Sequence, residues 1–296
     1  MPELKQALTY EQQVTRLTEH NLKFSSCESA IAILKKVNYY RLSAYGIGLA
    51  KPDDKEQYID GITLESLYRL YLFDSLLRNQ LVHVIEQLEV QLRTQVSNHL
   101  GIKYGPEGYM EAANFIQKYT KDGSSIHTIT IEKFKQECIH QRDIPFVKHH
   151  ALTYDGHFPI WVAIELFTFG NLASLFDIMS PTDKKVIASL YCTDPNYLNS
   201  WILALVEVRN ICAHYGRLYN LPLKQAPFLY NENRKYRTGS INKLFPTILT
   251  IRRMLQSDER WREFATALEA IMDTYSDVIR LSFIGFPPDW KTILLK

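Results

Sequence analysis

The residues best equipped for chemistry lie in one short run, Glu207-Val208-Arg209-Asn210-Ile211-Cys212-Ala213-His214-Tyr215-Gly216. Asn210 and His214 are four residues apart and would share a helix face, with Glu207 one turn further back on the same stripe. Arg209 falls about 140° around the helix from His214, but its long forked side chain can curl toward a phosphate held on the histidine face. Imidazole exchanges protons near neutral pH, and a guanidinium offers planar donors that match phosphate oxygens. The set suits proton transfer at a phosphodiester, with Arg209 holding the charge that builds on the phosphorus oxygens. Asn210 would orient the imidazole or the phosphate, Glu207 would bias the imidazole tautomer, and Tyr215 would support them. An Arg–Glu pair and a histidine that tightens helix packing would leave the same pattern, and spacing alone does not separate the two.

The element that must position this run is a long helix. Asp194 suits its N-cap, Pro195 its first position, and Gly216 the left-handed conformation that would end it. Trp201-Ile202-Leu203-Ala204-Leu205-Val206 is apolar on every side, which marks a helix buried all round. Charged groups on such a helix need partners or a task, because burying them alone costs several kcal/mol.

Other stretches could join the site. A second Arg-Asn-x-x-x-His, running from Arg78 and Asn79 to His83, lies on the longest periodic element, which Thr63 caps and Gly101 should stop after roughly 55 Å. It lacks the apolar run and the glycine that frame its counterpart, so it is either a second active half or an accident of a polar face that also carries Glu86, Glu89 and Arg93. Tyr40 and Arg41 could stack bases and hold phosphate, or wedge two helices with Arg41 on a carboxylate. Arg217, Lys224, Arg234, Lys235 and Arg237 fall in a loop over 217–239, either a positive lid over a phosphate path or a solvated connector. His149, His150 and His157 form a basic, mobile segment without the spacing or cysteine support of a metal site. No metal and no cofactor is expected.

Strand-like alternation is nearly absent, so the chain is expected to be all-α. Helices are predicted over 9–20, from a capping box at Ser25–Glu28, over 111–118 and 126–142, and from Pro159 to an end at Gly170-Asn171, with Asn171 starting the next. Others should start at Ser180-Pro181-Thr182-Asp183 and cover 241–256 and 260–276, with the tail 283–290 packed back on the core.

Several of these blocks, in this order, carry a resemblance. Arg-Asn-x-x-x-His at the end of an apolar helix resembles the signature of HEPN-superfamily ribonucleases. The segment "RNICAHYGRLYN" resembles the Abi-like (AbiD/AbiF) abortive-infection proteins, as do "VNYYRLSAY" at Val37–Tyr45, "LYLFDSLLRNQL" followed by "IEQLEVQLRTQV", "FPIWVAIELFTFGNLASLF" at Phe158–Phe176 and "GFPPDW" at Gly285–Trp290. The resemblance implies a HEPN-like helical bundle over 61–296 with an N-terminal helical extension over 1–60. It also implies a metal-independent endoribonuclease whose catalytic residues are Arg209, Asn210 and His214. Two such units would face each other as a homodimer, and the protein would act as a growth-arresting toxin against phage, restrained by a small regulatory RNA or an antitoxin. A non-catalytic RNA-binding or assembly module is the alternative.

Composition sets the limits. With 46% apolar residues in 296, the chain can bury a large core, and a net charge of +2 argues against a uniformly basic nucleic-acid binder. RNA contact must then come from local patches. The four cysteines, Cys27, Cys138, Cys192 and Cys212, are scattered and fit a reducing compartment. No apolar run is long enough for a membrane span or a signal peptide, so a cytoplasmic protein is expected.

Overall fold

The computed structural model describes Leu4 and residues 6–237 and 241–295. Its α-helices are α1 (Tyr10–Glu19), α2 (Cys27–Lys36), α3 (Tyr39–Ser43), α4 (Leu64–Tyr104), α5 (Ile126–His140), α6 (Pro145–Thr153) and α7 (Ile160–Ala163). They continue as α8 (Phe169–Ile178), α9 (Pro181–Leu190), α10 (Pro195–Ala213), α11 (Phe245–Leu255), α12 (Asp258–Thr274), α13 (Leu281–Ile284) and α14 (Trp290–Leu294). Among the described residues there is no strand, only isolated bridges such as Leu223 with Asn242. The protein is all-α.

Local chemistry explains where these helices begin. Thr9 accepts from the Gln12 amide while the Gln12 side chain returns to the Thr9 N–H, closing a capping box at α1. The box at α2 sits one residue later than expected, on Ser26 and Ser29, because Ser25 is drawn to Glu65 at 2.8 Å. Ser180 caps α9 with Pro181 in its first turn, as the sequence indicates. Thr168 caps α8, so the helix expected to start at Asn171 begins two residues earlier, at Phe169, and Gly170 lies in its first turn instead of ending the helix before it.

Tertiary packing overrules several local signals. Helix α4 is 41 residues long, running past Gly101 to Tyr104, and the turn falls to Gly105 at φ +81°. Gly101 serves close packing: a Cβ there would lie 3.2 Å from Ile160 and 3.4 Å from Trp161. Of the histidine segment expected to be mobile, His149 and His150 lie in α6, with His150 stacked on Tyr154 at 5.0 Å and on Phe158 at 5.1 Å, while His157 lies beyond its end. Residues 111–118 hold only a single 3-10 turn, Ala112–Asn114. The loop 217–239 contains another, Asn231–Tyr236, and the end of that loop at 238–239 lies outside the described residues.

The chain packs as two compact units. One comprises Met1–Leu81, Ile211–Pro222 and Arg262–Lys296; the other comprises Val82–Asn210 and Leu223–Trp261. Residues of the first 60 are bound to later ones of the first unit, through Tyr45 to Asp74 and Arg41 to Tyr215. The first unit centres on Phe73, fully buried, whose ring meets Tyr219 at 5.9 Å and Tyr275 at 6.0 Å. Phe286 and Trp290 of the tail are buried, as expected. In the second unit Tyr109, Phe134, Phe158 and Phe167 form one aromatic cluster, and Tyr197, Trp201, Phe228 and Tyr230 form another.

Asp183 joins α9 to the end of α4. Its buried carboxylate accepts from Lys103 (2.6 Å), His99 (2.7 Å) and Tyr104 (2.8 Å), and from Ser180. Burial pushes this carboxyl up, but the donors from Lys103, Ser180, His99 and Tyr104 outweigh it and hold it well below the usual carboxylate range. A depressed folded pKa gives stability that is complete above the unfolded value of about 4 and is lost as pH falls toward the folded one. Asp183→Asn should cost about 2–3 kcal/mol near neutral pH. In melting experiments the gap between wild type and variant should narrow by about 1 kcal/mol between pH 5 and pH 3, and a gap constant over that range would refute the assignment.

Candidate functional site

Helix α10 starts as its sequence dictates, with Asp194 accepting from the Asn196 N–H at 2.8 Å and Pro195 in the first turn. Trp201, Ile202, Ala204, Leu205 and Val208 are buried and fix its rotation. Its end differs from expectation. Tyr215, at φ +55°, takes the left-handed conformation, and the Gly216 N–H closes on the Ile211 carbonyl at 2.8 Å. Gly216 supplies room, since a Cβ there would lie 3.0 Å from that carbonyl oxygen and 3.1 Å from Ile211 Cγ2.

In the second unit, Arg209 donates to both oxygens of Glu89, through Nε (3.2 Å) and Nη2 (3.1 and 3.0 Å). Its Nη1 donates to the Asn210 side-chain oxygen at 3.0 Å, and its guanidinium lies 5.8 Å from the Phe169 ring centroid. Glu89 is buried and also accepts from Arg93, four residues along α4, whose other arm donates to the Ile164 carbonyl. One carboxylate thus faces two guanidiniums, and the cluster carries one net positive charge. Arg93 is buried, whereas the Arg209 side chain keeps 28% of its surface exposed. The Asn210 amide therefore steadies Arg209 and not the imidazole. Glu207 has no part in a tautomer either: its two oxygens accept from the backbone N–H groups of Lys224 (2.8 Å) and Gln225 (2.6 Å).

In the first unit, His214 is the first residue beyond α10, exposed and without a hydrogen-bond partner among the described residues. It is not a core histidine. Arg41 donates to the Tyr215 carbonyl at 2.6 Å and so draws α3 against the end of α10. Tyr40, on the same short helix, and Tyr215 are exposed, at 83% and 72%. Beneath them Asp74 is fully buried and accepts from the Tyr45 hydroxyl (2.8 Å), the Tyr219 N–H (2.7 Å), the Leu218 N–H (3.2 Å) and Arg78. Burial, with the Asp74 charge added to it, pushes the Cys212 thiol up to about 12, so this cysteine stays protonated.

The remaining candidates are spread out. Arg78 is buried on Asp74, while Asn79 and His83 are exposed and His83 meets only Gln87 at 3.3 Å. The three residues do not repeat the Arg209 arrangement. Arg217 is half-buried and donates to the Tyr219 carbonyl, shaping the turn. Lys224, Arg234, Lys235 and Arg237 are exposed. His157 pairs with Glu107 at 2.9 Å, and among the described residues no group of three His, Cys, Asp or Glu is placed to hold a metal ion. No described helix is long and apolar enough to cross a membrane. Sequence reasoning missed Asp74 altogether and saw Glu89 only as part of a polar face. The available signal was an acid four residues before an arginine, which occurs three times on one largely apolar helix, at Glu65–Arg69, Asp74–Arg78 and Glu89–Arg93, the last two becoming buried pairs.

A family model described as Abi-like protein matches residues 32–220, a span that includes Arg41, Asp74, Glu89 and the whole of α10. No curated protein and no solved structure matches the chain.

The two kinds of residue should respond differently to truncation. Glu89→Ala leaves Arg93 and Arg209 side by side without their shared carboxylate and should cost about 3–5 kcal/mol. His214→Ala should stay within ~0.5 kcal/mol of wild type. Urea denaturation compares them directly, and a similar small loss in both would show the Glu89 cluster to be dispensable for folding.

Proposed function

The chain belongs to the Abi-like protein family, and from that premise we propose that it is a metal-independent endoribonuclease of the HEPN kind that arrests growth during abortive infection. Membership supports a role in abortive infection and phage defence; the chemistry rests on Arg209, Asn210 and His214. RNA carries its own nucleophile, the 2′-hydroxyl beside each phosphate. Attack of that oxygen on phosphorus expels the 5′-oxygen and leaves a 2′,3′-cyclic phosphate and a 5′-hydroxyl. One proton must leave the 2′-oxygen and another must reach the departing 5′-oxygen. His214, accessible and unpartnered, transfers one of them.

The observation that carries this reading is the charge balance at Glu89. A single carboxylate against Arg93 and Arg209 leaves positive charge in excess, and Arg209 is the member that reaches solvent. Such charge, held in place before the substrate arrives, is what a phosphorane needs. Asn210 fixes the guanidinium through Nη1. Tyr40, Arg41 and Tyr215 offer stacking faces and a cation for the nucleotides on either side of the cut. One His214 supplies one imidazole, and a second copy of the chain related by a two-fold axis supplies the other.

The two-pronged Arg209–Glu89 pair also favours a second reading, in which Arg209 is a strut and the protein binds RNA without cutting it. Cleavage of total RNA by purified protein separates the two. His214→Ala and Arg209→Ala should each lower cleavage by at least about 100-fold, with the circular dichroism of His214→Ala unchanged. A substrate with a 2′-deoxy residue at the cut site should resist, and chelation should have no effect. In mixtures of wild type with His214→Ala, activity should fall faster than the wild-type fraction. Full activity in His214→Ala, or cleavage at the deoxy position, would overturn the ribonuclease; RNA binding by a wild type that never cuts would establish the strut.

A further inference from the structure

The first turn of α10 borders a cavity of about 550 Å³ in the second unit. Asp194, Asn196, Tyr197, Phe228, Arg234 and Arg237 line it. We propose that this cavity is a nucleotide subsite for single-stranded RNA, with a base against Tyr197 and Phe228 and a phosphate on Arg234 and Arg237.

The two arginines are the first argument. Both are exposed, and neither has an ion-pair partner among the described residues, whereas nearby Arg253 is neutralised by Glu232 at 2.6 Å. They stand three residues apart at the end of the 3-10 turn Asn231–Tyr236, where residues so spaced eclipse one another, and the Arg237 N–H is bonded to the Arg234 carbonyl at 3.0 Å. Two unpaired guanidiniums on one edge of a concave site make an anion clamp.

The aromatic wall is the second. Tyr197 is stacked on Tyr230 at 4.5 Å with an interplanar angle of 13°, and Trp201 meets it edge-on at 6.1 Å, so its ring is held in one orientation. Phe228 meets Tyr197 at 5.9 Å and remains 46% exposed. Its backbone is anchored from both sides, by the Trp201 indole N–H to its carbonyl (2.7 Å) and by its own N–H to Ser200 (2.9 Å). A large apolar ring kept at the surface on a fixed backbone is a stacking platform.

Asp194 is the third. A carboxylate in the lining is at odds with a site for bare phosphate, but it suits a ligand that also presents hydroxyl or amino donors. A nucleotide combines all three features, and the volume fits a ligand of that size. Phe228, Arg234 and Arg237 lie beyond the residues matched by the family model, so this subsite belongs to the part of the chain outside that match.

The choice of an RNA strand over a free nucleotide rests on the ribonuclease reading. The test uses His214→Ala protein, which that reading expects to leave RNA intact, with an eight-nucleotide single-stranded RNA carrying a central 2-aminopurine, and AMP as competitor. Binding should quench the probe through stacking. Arg234→Gln/Arg237→Gln should weaken binding by about 10-fold or more and flatten the dependence of log affinity on log salt by about 1.4, two phosphate contacts at about 0.7 each. Phe228→Ala should reduce the quench and weaken binding at least about 5-fold. Unchanged affinity and salt slope in the arginine variant would overturn the subsite, even if His214→Ala abolishes cleavage. AMP binding more tightly than the RNA would overturn the strand assignment. A wild type that never cuts RNA, yet binds the probe through these arginines, would fail the ribonuclease reading and leave the subsite standing.

Discussion

A carboxylate taken out of water must be surrounded by donors, and α4 buries two of them. Asp74 and Glu89 each find an arginine four residues further along the same helix, Arg78 and Arg93. Each of these arginines reaches only one oxygen of its acid, Arg78 the Oδ2 of Asp74 and Arg93 the Oε1 of Glu89, and a carboxylate has about four acceptor sites to fill, so each acid reaches for more. In its own unit Glu89 takes Arg209, and in the other Asp74 takes the N–H groups of Leu218 and Tyr219. The chain is therefore clamped before and after His214 by acids that are themselves held by local pairs. The exposed histidine owes its place to buried charge on either side of it in sequence, and removing either acid would disturb it without touching it.

This arrangement also explains which parts were legible in the sequence. Periodicity alone established the all-α class, and the start of α10 could be read from Asp194 and Pro195, because caps and first turns depend on neighbours in sequence. The run Arg209-Asn210-x-x-x-His214 stood out for the same reason. What Arg209 touches did not, since Glu89 is 120 residues away and spacing gives a face but not what lies opposite it. Asn210 and Glu207 were assigned to the imidazole on the assumption that the helical face continues. The helix stops at Ala213, so His214 leaves that face and the two residues turn to other partners. Gly101, Gly216 and the histidines of α6 mislead in one way: each reads as a breaker or a mobile element locally, and packing gives it a different use.

The electrostatics of the molecule are local. A net charge of +2 spread over the whole chain would draw little RNA. Screening confines each surface charge to about 8 Å at physiological ionic strength, so the sites that matter are the few where positive charge is in excess. The Glu89 cluster is one, and the unpaired Arg234 and Arg237 are another. On the proposed reading, short contacts of this kind would favour single strands, whose bases are open to stacking, over a continuous grip on a duplex backbone.

Glu207 closes the long excursion after α10 by holding two main-chain N–H groups, at Lys224 and Gln225. Because the side chains of those two residues take no part in the bond, nothing in the closure restricts what they are, except that neither can be proline, which has no N–H to give. Among relatives that keep the acid, the charge of this loop is then free to drift from strongly basic to acidic with the backbone path unchanged. If the protein acts on RNA as proposed, variation in the loop would retune which strands approach, while the fold beneath it stays the same.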